Sequence, residues 1–205
     1  MKIPVKIAGY ILAAVLLFAA CTEDSINTEL KTYKLSGKVE KGPFIHESRV
    51  AVYELTSSLV PTGRSFVGYT EDDGSFSIGN VEFVSPYVLI NADGFYFNEV
   101  SGKLSKARLN LTALANLEQS SKVNVNLLTH LERKRVEKLI GEGNSFAQAK
   151  SRAMPEVLAV FGMSSDLQAE QTELLDNDAT LLTISSILQG FRSEAELSEI
   201  LAFIA

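Results

Sequence analysis

Tyr69-Thr70-Glu71-Asp72-Asp73-Gly74-Ser75-Phe76-Ser77-Ile78 is the stretch that decides the fold. Asp73-Gly74 supplies the positive-φ position of a tight hairpin, which a residue without a Cβ adopts at no steric cost. Short strand-like segments, Ser65 to Thr70 and Ser75 to Ile78, flank it. Ser75 and Ser77 are explained as hairpin residues. A serine nucleophile elbow needs Gly-x-Ser-x-Gly, and Gly74-Ser75-Phe76-Ser77-Ile78-Gly79 does not have that spacing.

Outward from this turn the pattern repeats. Tyr33 to Val39 and Arg49 to Leu55 alternate apolar and polar residues, as half-buried strands do, with Val50 and Val52 facing inward. Lys41-Gly42-Pro43 between them is a turn signal. Tyr87 to Ala92 is apolar enough for a central strand, Asp93-Gly94 predicts another turn, Phe95 to Val100 alternates again, and Ala107 to Leu111 closes the sheet. Six or seven short strands over this length predict an antiparallel β-sandwich of prealbumin or immunoglobulin type, over residues 33–115.

Past Ser121 the period changes from two to about four, predicting a small helical domain over 122–205 and an α+β chain in two parts. Asn126 caps a helix carrying Leu127, Leu128, Leu131, Val136 and Leu139, and Gly141 and Gly143 end it. Its Glu132-Arg133-Lys134-Arg135 run is read as a solvated face. Ser145 and Gln148 form a capping box, and Pro155 should kink or restart the helix it opens. Asp176 or Asp178 starts a third helix stopped at Gly190, and Ser193 with Glu196 caps a fourth. That last helix ends on the apolar Phe203-Ile204-Ala205, so it either docks as the final element or belongs to a longer chain, with the balance toward the latter.

The N-terminus carries an address. Lys2 and Lys6 precede Ile7 to Ala20, fourteen uncharged and mostly apolar residues. That is the build of a signal-peptide core over residues 1–20, whereas a bilayer-spanning helix needs ~20 such residues. Phe18-Ala19-Ala20-Cys21 resembles the bacterial lipobox, although that family prefers Leu where Phe18 stands. The resemblance implies that Cys21 is lipidated and becomes the mature N-terminus, a membrane partner through its fatty chains. Residues 21–32 then form a polar tether. Thr22 rather than Asp after the cysteine resembles outer-membrane retention, and Glu23-Asp24 is similar to surface-export signals of Bacteroidetes lipoproteins.

SGKVEKGPF, VAVYEL and TEDDGSFSI together resemble the carboxypeptidase-regulatory, or transthyretin-like, sandwich modules, with Thr70, Asp72, Gly74 and Phe76 at the spacing of their hairpin. The resemblance implies an accessory module and supplies no active residue.

Composition narrows the chemistry. The formal net charge is −6, and −8 once the leader and its two lysines are set aside, which argues against nucleic acid. One cysteine excludes disulfides and cysteine-ligated zinc. His46 and His130 have no neighbouring ligand, and His130 is read as a surface or packing residue. Glu71-Asp72-Asp73 and Asp176 with Asp178 are explained by turns and caps rather than calcium. Gly141-Glu142-Gly143 lacks the lysine of a phosphate loop. Phe95-Tyr96-Phe97, near Tyr87 and Phe83, would place Phe95 and Phe97 on one face and Tyr96 on the other. The expected function is therefore a non-catalytic structural or binding module of the bacterial outer membrane, without cofactor, whose partner is an envelope protein or a glycan. Alternatives are surface capture of glycans or peptides, or a hydrolase pairing Glu99 with Asp93 or Asp176.

Overall fold

The computed structural model describes residues 29–176 and 179–204; the leader, Cys21, most of the tether and Asp178 lie outside the described residues. The described chain is α+β, a mostly antiparallel β region followed by four α-helices. Its strands are Lys31–Glu40 (β1), Arg49–Leu55 (β2), Pro61–Tyr69 (β3), Ser75–Phe83 (β4), Tyr87–Gly94 (β5), Phe97–Asn98 (β6), Lys103–Leu104 (β7), Leu109–Asn116 (β8) and Val125–Asn126 (β9). The helices are Leu127–Gly141 (α1), Phe146–Val160 (α2), Thr180–Gln189 (α3) and Glu194–Ile204 (α4).

One sheet has the order β4-β1-β9 and the other β3-β2-β5-β8, while β6 and β7 form a small ribbon. Period-two alternation turns Tyr33, Leu35 and Val39 of β1 and Val88, Ile90 and Ala92 of β5 into the space between the sheets. Phe66 of one sheet meets Phe83 of the other edge-on at 5.4 Å. Each fully buried Val, Leu, Ile or Phe among them contributes about 1.5–3 kcal/mol.

The 69–78 turn forms, with Gly74 at φ +78° and Ser75 N donating to Asp73 Oδ1 at 3.0 Å. It is not a strand hairpin, however. β3 pairs with β2 and β4 with β1, so the turn carries the chain from one sheet to the other with a single bridge, Thr70 to Phe76. Gly74 also touches β1, since Val39 N donates to its carbonyl at 2.9 Å.

Asp93-Gly94 does not turn. β5 runs through both, paired with Asn110 and Leu109 of β8, and Gly94 is instead the close-packing position against the Ser48 side chain. The predicted strand over Phe95 to Val100 shortens to β6, and the closing strand lies further on, over β8.

The helices do not stand apart from the sheets. One apolar cluster runs from Tyr33, Val50 and Ile90 through Leu127 and Leu131 to Leu181, Ile184, Leu197 and Leu201. A second, of Leu55, Leu114, Val136, Leu139 and Phe146, lies under α1 and α2. There Phe146 packs on Tyr87 at 5.2 Å, so β5 is covered on both faces, which explains its continuous apolar run. Buried amides join the layers. Asn124 and Asn126 both donate to the Thr172 carbonyl, at 3.1 and 3.0 Å, and Leu174 N donates to Glu40 at 3.0 Å.

The caps at Asn126, Ser145 and Ser193 form as the sequence predicts. Pro155 does not restart its helix: α2 continues through it. Pro155 and Ser151, four residues before it, are both exposed, so the carbonyl left unpaired by the missing N–H is open to water. Asp176 does not start α3. Its carboxylate accepts from Glu173 N at 2.7 Å, and α3 begins after Ala179, which supplies no side-chain cap.

Candidate functional site

Two clefts combine charge with apolar walls. The first, about 350 Å³, lies between α1, α2 and the segment 165–170. α1 contributes Glu132, α2 contributes Lys150 and the 3-10 turn Ala169–Gln171 contributes Glu170. The Lys150 ammonium contacts Glu132 and lies 2.8 Å from Glu170 Oε2. Glu132 is therefore not part of a solvated face: it is 1% exposed, and its Oε2 has no hydrogen-bond partner among the described residues. Leu128, Glu132 and Val136 recur every four residues, the spacing of one helix stripe, and that spacing carries the acid inside. The rest of the run does reach solvent; Arg135 pairs with Glu156 across to α2.

Burial pushes the Glu132 carboxyl up to about 7, and Glu170 beside it adds to the effect against the pull of Lys150. Burial alone would lower the Lys150 ammonium, but the combined attraction of Glu132 and Glu170 overrides it, and its pKa is raised. This is a carboxylate pair in a concave site, but an ammonium stands between the two acids, in the place a scissile bond and a water would need.

The pairs expected from sequence have separate partners. Glu99 accepts from Lys41 Nζ at 2.5 Å and from Ser185, Asp93 is paired with Arg108 at 2.7 Å, and Asp176 caps its own turn. Lys41 is fully buried, 5.7 Å from the centre of the Tyr96 ring. Burial lowers its ammonium pKa against the pull of Glu99.

The histidines lie apart. His46 is exposed, 3.5 Å from Glu71. His130 is a packing residue rather than a surface one: Nδ1 lies 3.1 Å from Thr112 Oγ1 on β8, and Nε2 lies 3.4 Å from the Leu201 carbonyl on α4. Burial pushes it down to about 4. No group of three or more His, Cys, Asp or Glu is placed to hold a metal among the described residues.

These two buried groups set opposing pH dependences. The unfolded chain protonates His130 near 6.5 and the folded one only near 4, so stability from this group falls as pH drops through that window. The expected size is on the order of 3 kcal/mol. Glu132 works in reverse: its stabilisation is full below 4.5 and is lost as pH rises through about 7. Glu132→Gln removes the second effect, so acid destabilisation should steepen relative to the parent. Urea midpoints between pH ~4 and ~7 measure this; parallel profiles for parent and variant would contradict the assignment.

The second cleft, about 630 Å³, lies between the β6–β7 ribbon and the α3–α4 turn. Val100 and Leu104 are about half exposed and Phe191 is wholly exposed. Lys103, Lys106 and Arg192 line the same cleft. Its one acid, Glu194, is occupied: it accepts from the backbone N–H groups of Lys106 and Ala107 and from Asn98 at 3.3 Å. On the strand leading in, Phe97 is 45% exposed and Tyr96 1%, the alternation the sequence predicts. The cleft itself has no motif; only the apolar residues spaced among lysines over 97–106 hint at it.

No helix among the described residues is long and apolar enough to cross a membrane. No protein-family profile, curated protein or solved structure matches the chain.

Proposed function

We propose that this chain is a lipid-tethered bacterial envelope protein that acts by binding rather than by catalysis, with Cys21 as its anchor and an accessory-type sandwich as its body. The observation that carries the binding role is the second cleft, where Val100, Leu104 and Phe191 leave large apolar surface bare beside three cations. Large apolar side chains gathered at one place on a surface, with a polar rim, are the mark of an interaction site. The paired acids support the non-catalytic reading, since Glu99, Asp93 and Glu132 are each held by a neighbouring cation. The anchor rests on the lipobox-like Phe18 to Cys21.

Cell fractionation tests the anchor. Cys21→Ala should move the protein from a high-salt-washed membrane pellet to the soluble fraction after leader removal, and mass spectrometry of the parent should find a fatty-acylated residue 21. An unmodified thiol on the parent, or unchanged pelleting of a processed variant after the high-salt wash, would overturn the anchor.

A further inference from the structure

We infer that the second cleft is a membrane-contact surface that rests on anionic lipid headgroups, with its apolar side chains entering the interface. The inference builds on the binding role assigned above and names the partner. The bare apolar residues sit on two neighbouring turns, Val100 between β6 and β7 and Phe191 between α3 and α4, with Leu104 beside them. Side chains on turns can enter an interface without unpairing any strand or helix, and burying their apolar surface there is favourable.

Charge selects the lipid. The chain is acidic as a whole, yet this cleft holds Lys103, Lys106 and Arg192 against the single carboxylate of Glu194, which is already engaged. Arg192 donates to the Leu188 carbonyl at 3.1 Å and so keeps its charge at the end of α3, where Glu196 also feels it. A cationic, apolar-tipped surface complements a bilayer bearing negative headgroups, and each basic residue near such a surface strengthens binding about fivefold.

Chain length permits the arrangement. Residue 31 enters β1 at the end of the strand opposite Pro43, whose carbonyl accepts from Phe97 N. β1 is ten residues, about 30 Å. The ten links from Cys21 to Lys31 reach at most ~33–36 Å, so an acyl group at 21 and the cleft can meet one bilayer.

The test uses the chain from residue 21 with Cys21→Ala, which carries no acyl group and includes every described residue. It should sediment with phosphatidylcholine vesicles containing about one-third phosphatidylglycerol, and not with phosphatidylcholine alone. Lys103→Glu with Lys106→Glu should weaken binding at least about tenfold. Both side chains are exposed, so the fold is retained, which circular dichroism verifies. Phe191→Ser should weaken it as well, and added salt should weaken the parent. Equal sedimentation with neutral vesicles, no sedimentation at all, or unchanged binding by the lysine variant would each overturn the inference. So would binding to polyglutamate without binding to vesicles. Mass spectrometry of residue 21 and fractionation after a high-salt wash read the acyl anchor whatever the vesicles show, so the anchor and the contact surface can fail separately.

Discussion

Gly37→Ala is expected to remove a large part of the folding free energy. Gly37 lies in β1, and a methyl group built there would fall inside the carbonyl of Val123 and against the Phe76 ring. The crowded atom is backbone, so no side chain can rotate away. The approach is held on both sides, by Ser36 N donating to the Ser121 carbonyl at 2.9 Å and Val123 N donating to the Ser36 carbonyl at 2.8 Å. Relief would require separating β1 from the segment that leads into β9, and with it the amides of Asn124 that reach the Thr172 carbonyl. Overpacking of this kind costs about 3 kcal/mol or more, against a total stability of ~5–15 kcal/mol for a typical domain. Gly79→Ala is the control: nothing lies within 4 Å of where its methyl group would stand, and its φ is not left-handed. Its urea midpoint should equal or slightly exceed the parent's, while that of Gly37→Ala should fall sharply. Matching midpoints for the two variants would show that β1 and residue 123 are not in contact as described.

Lys41→Met is expected to have an effect of similar size. Its ammonium is fully buried and bonded to Glu99 at 2.5 Å, and Ser185 of α3 donates to the same carboxylate oxygen. Removing the cation leaves a carboxylate 12% exposed with only a hydroxyl beside it, and breaking such a pair costs about 3–5 kcal/mol. Removing both charges is a different change. Lys41→Met with Glu99→Leu replaces the pair by apolar groups and should recover a large part of the loss, because the buried charge is gone. Denaturant titration of the two singles and the double gives the coupling directly. Additive losses would mean that the two groups are not a pair.

The strand content was legible because apolar alternation and Asp-Gly chemistry are local. Val50, Val52, Ile90 and the caps at Asn126 and Ser145 needed no tertiary information. What was not legible depends on partners distant in the chain. The 69–78 turn has the same residues whether its arms pair with each other or join two sheets; the strands β1 and β2 decide, and they precede it by tens of residues. Gly94 reads as a turn in sequence, but Ser48 behind it makes it a packing position. Asp176 offers a cap, and Glu173 N claims it first. Glu132 sits within a charged run, and only its four-residue spacing from Leu128 and Val136 marks it as inward-facing. The contact surface has no signature because its residues come from 98–107 and 189–195, and nothing local couples those segments.

The pairing of β1 with β9 has a consequence for how the chain matures. β9 lies alongside the first strand in parallel, so one flank of β1 stays bare until about residue 125 has been made. Lys38 N waits for the Asn124 amide oxygen, eighty-six positions later, at 3.0 Å. During synthesis the first sheet can gain β4 but cannot be finished, and contacts this far apart in sequence slow the search for the native state. A chain that ends before that point should remain sensitive to protease along β1, and the full chain, in which the opening strand has its second neighbour, should resist cleavage there.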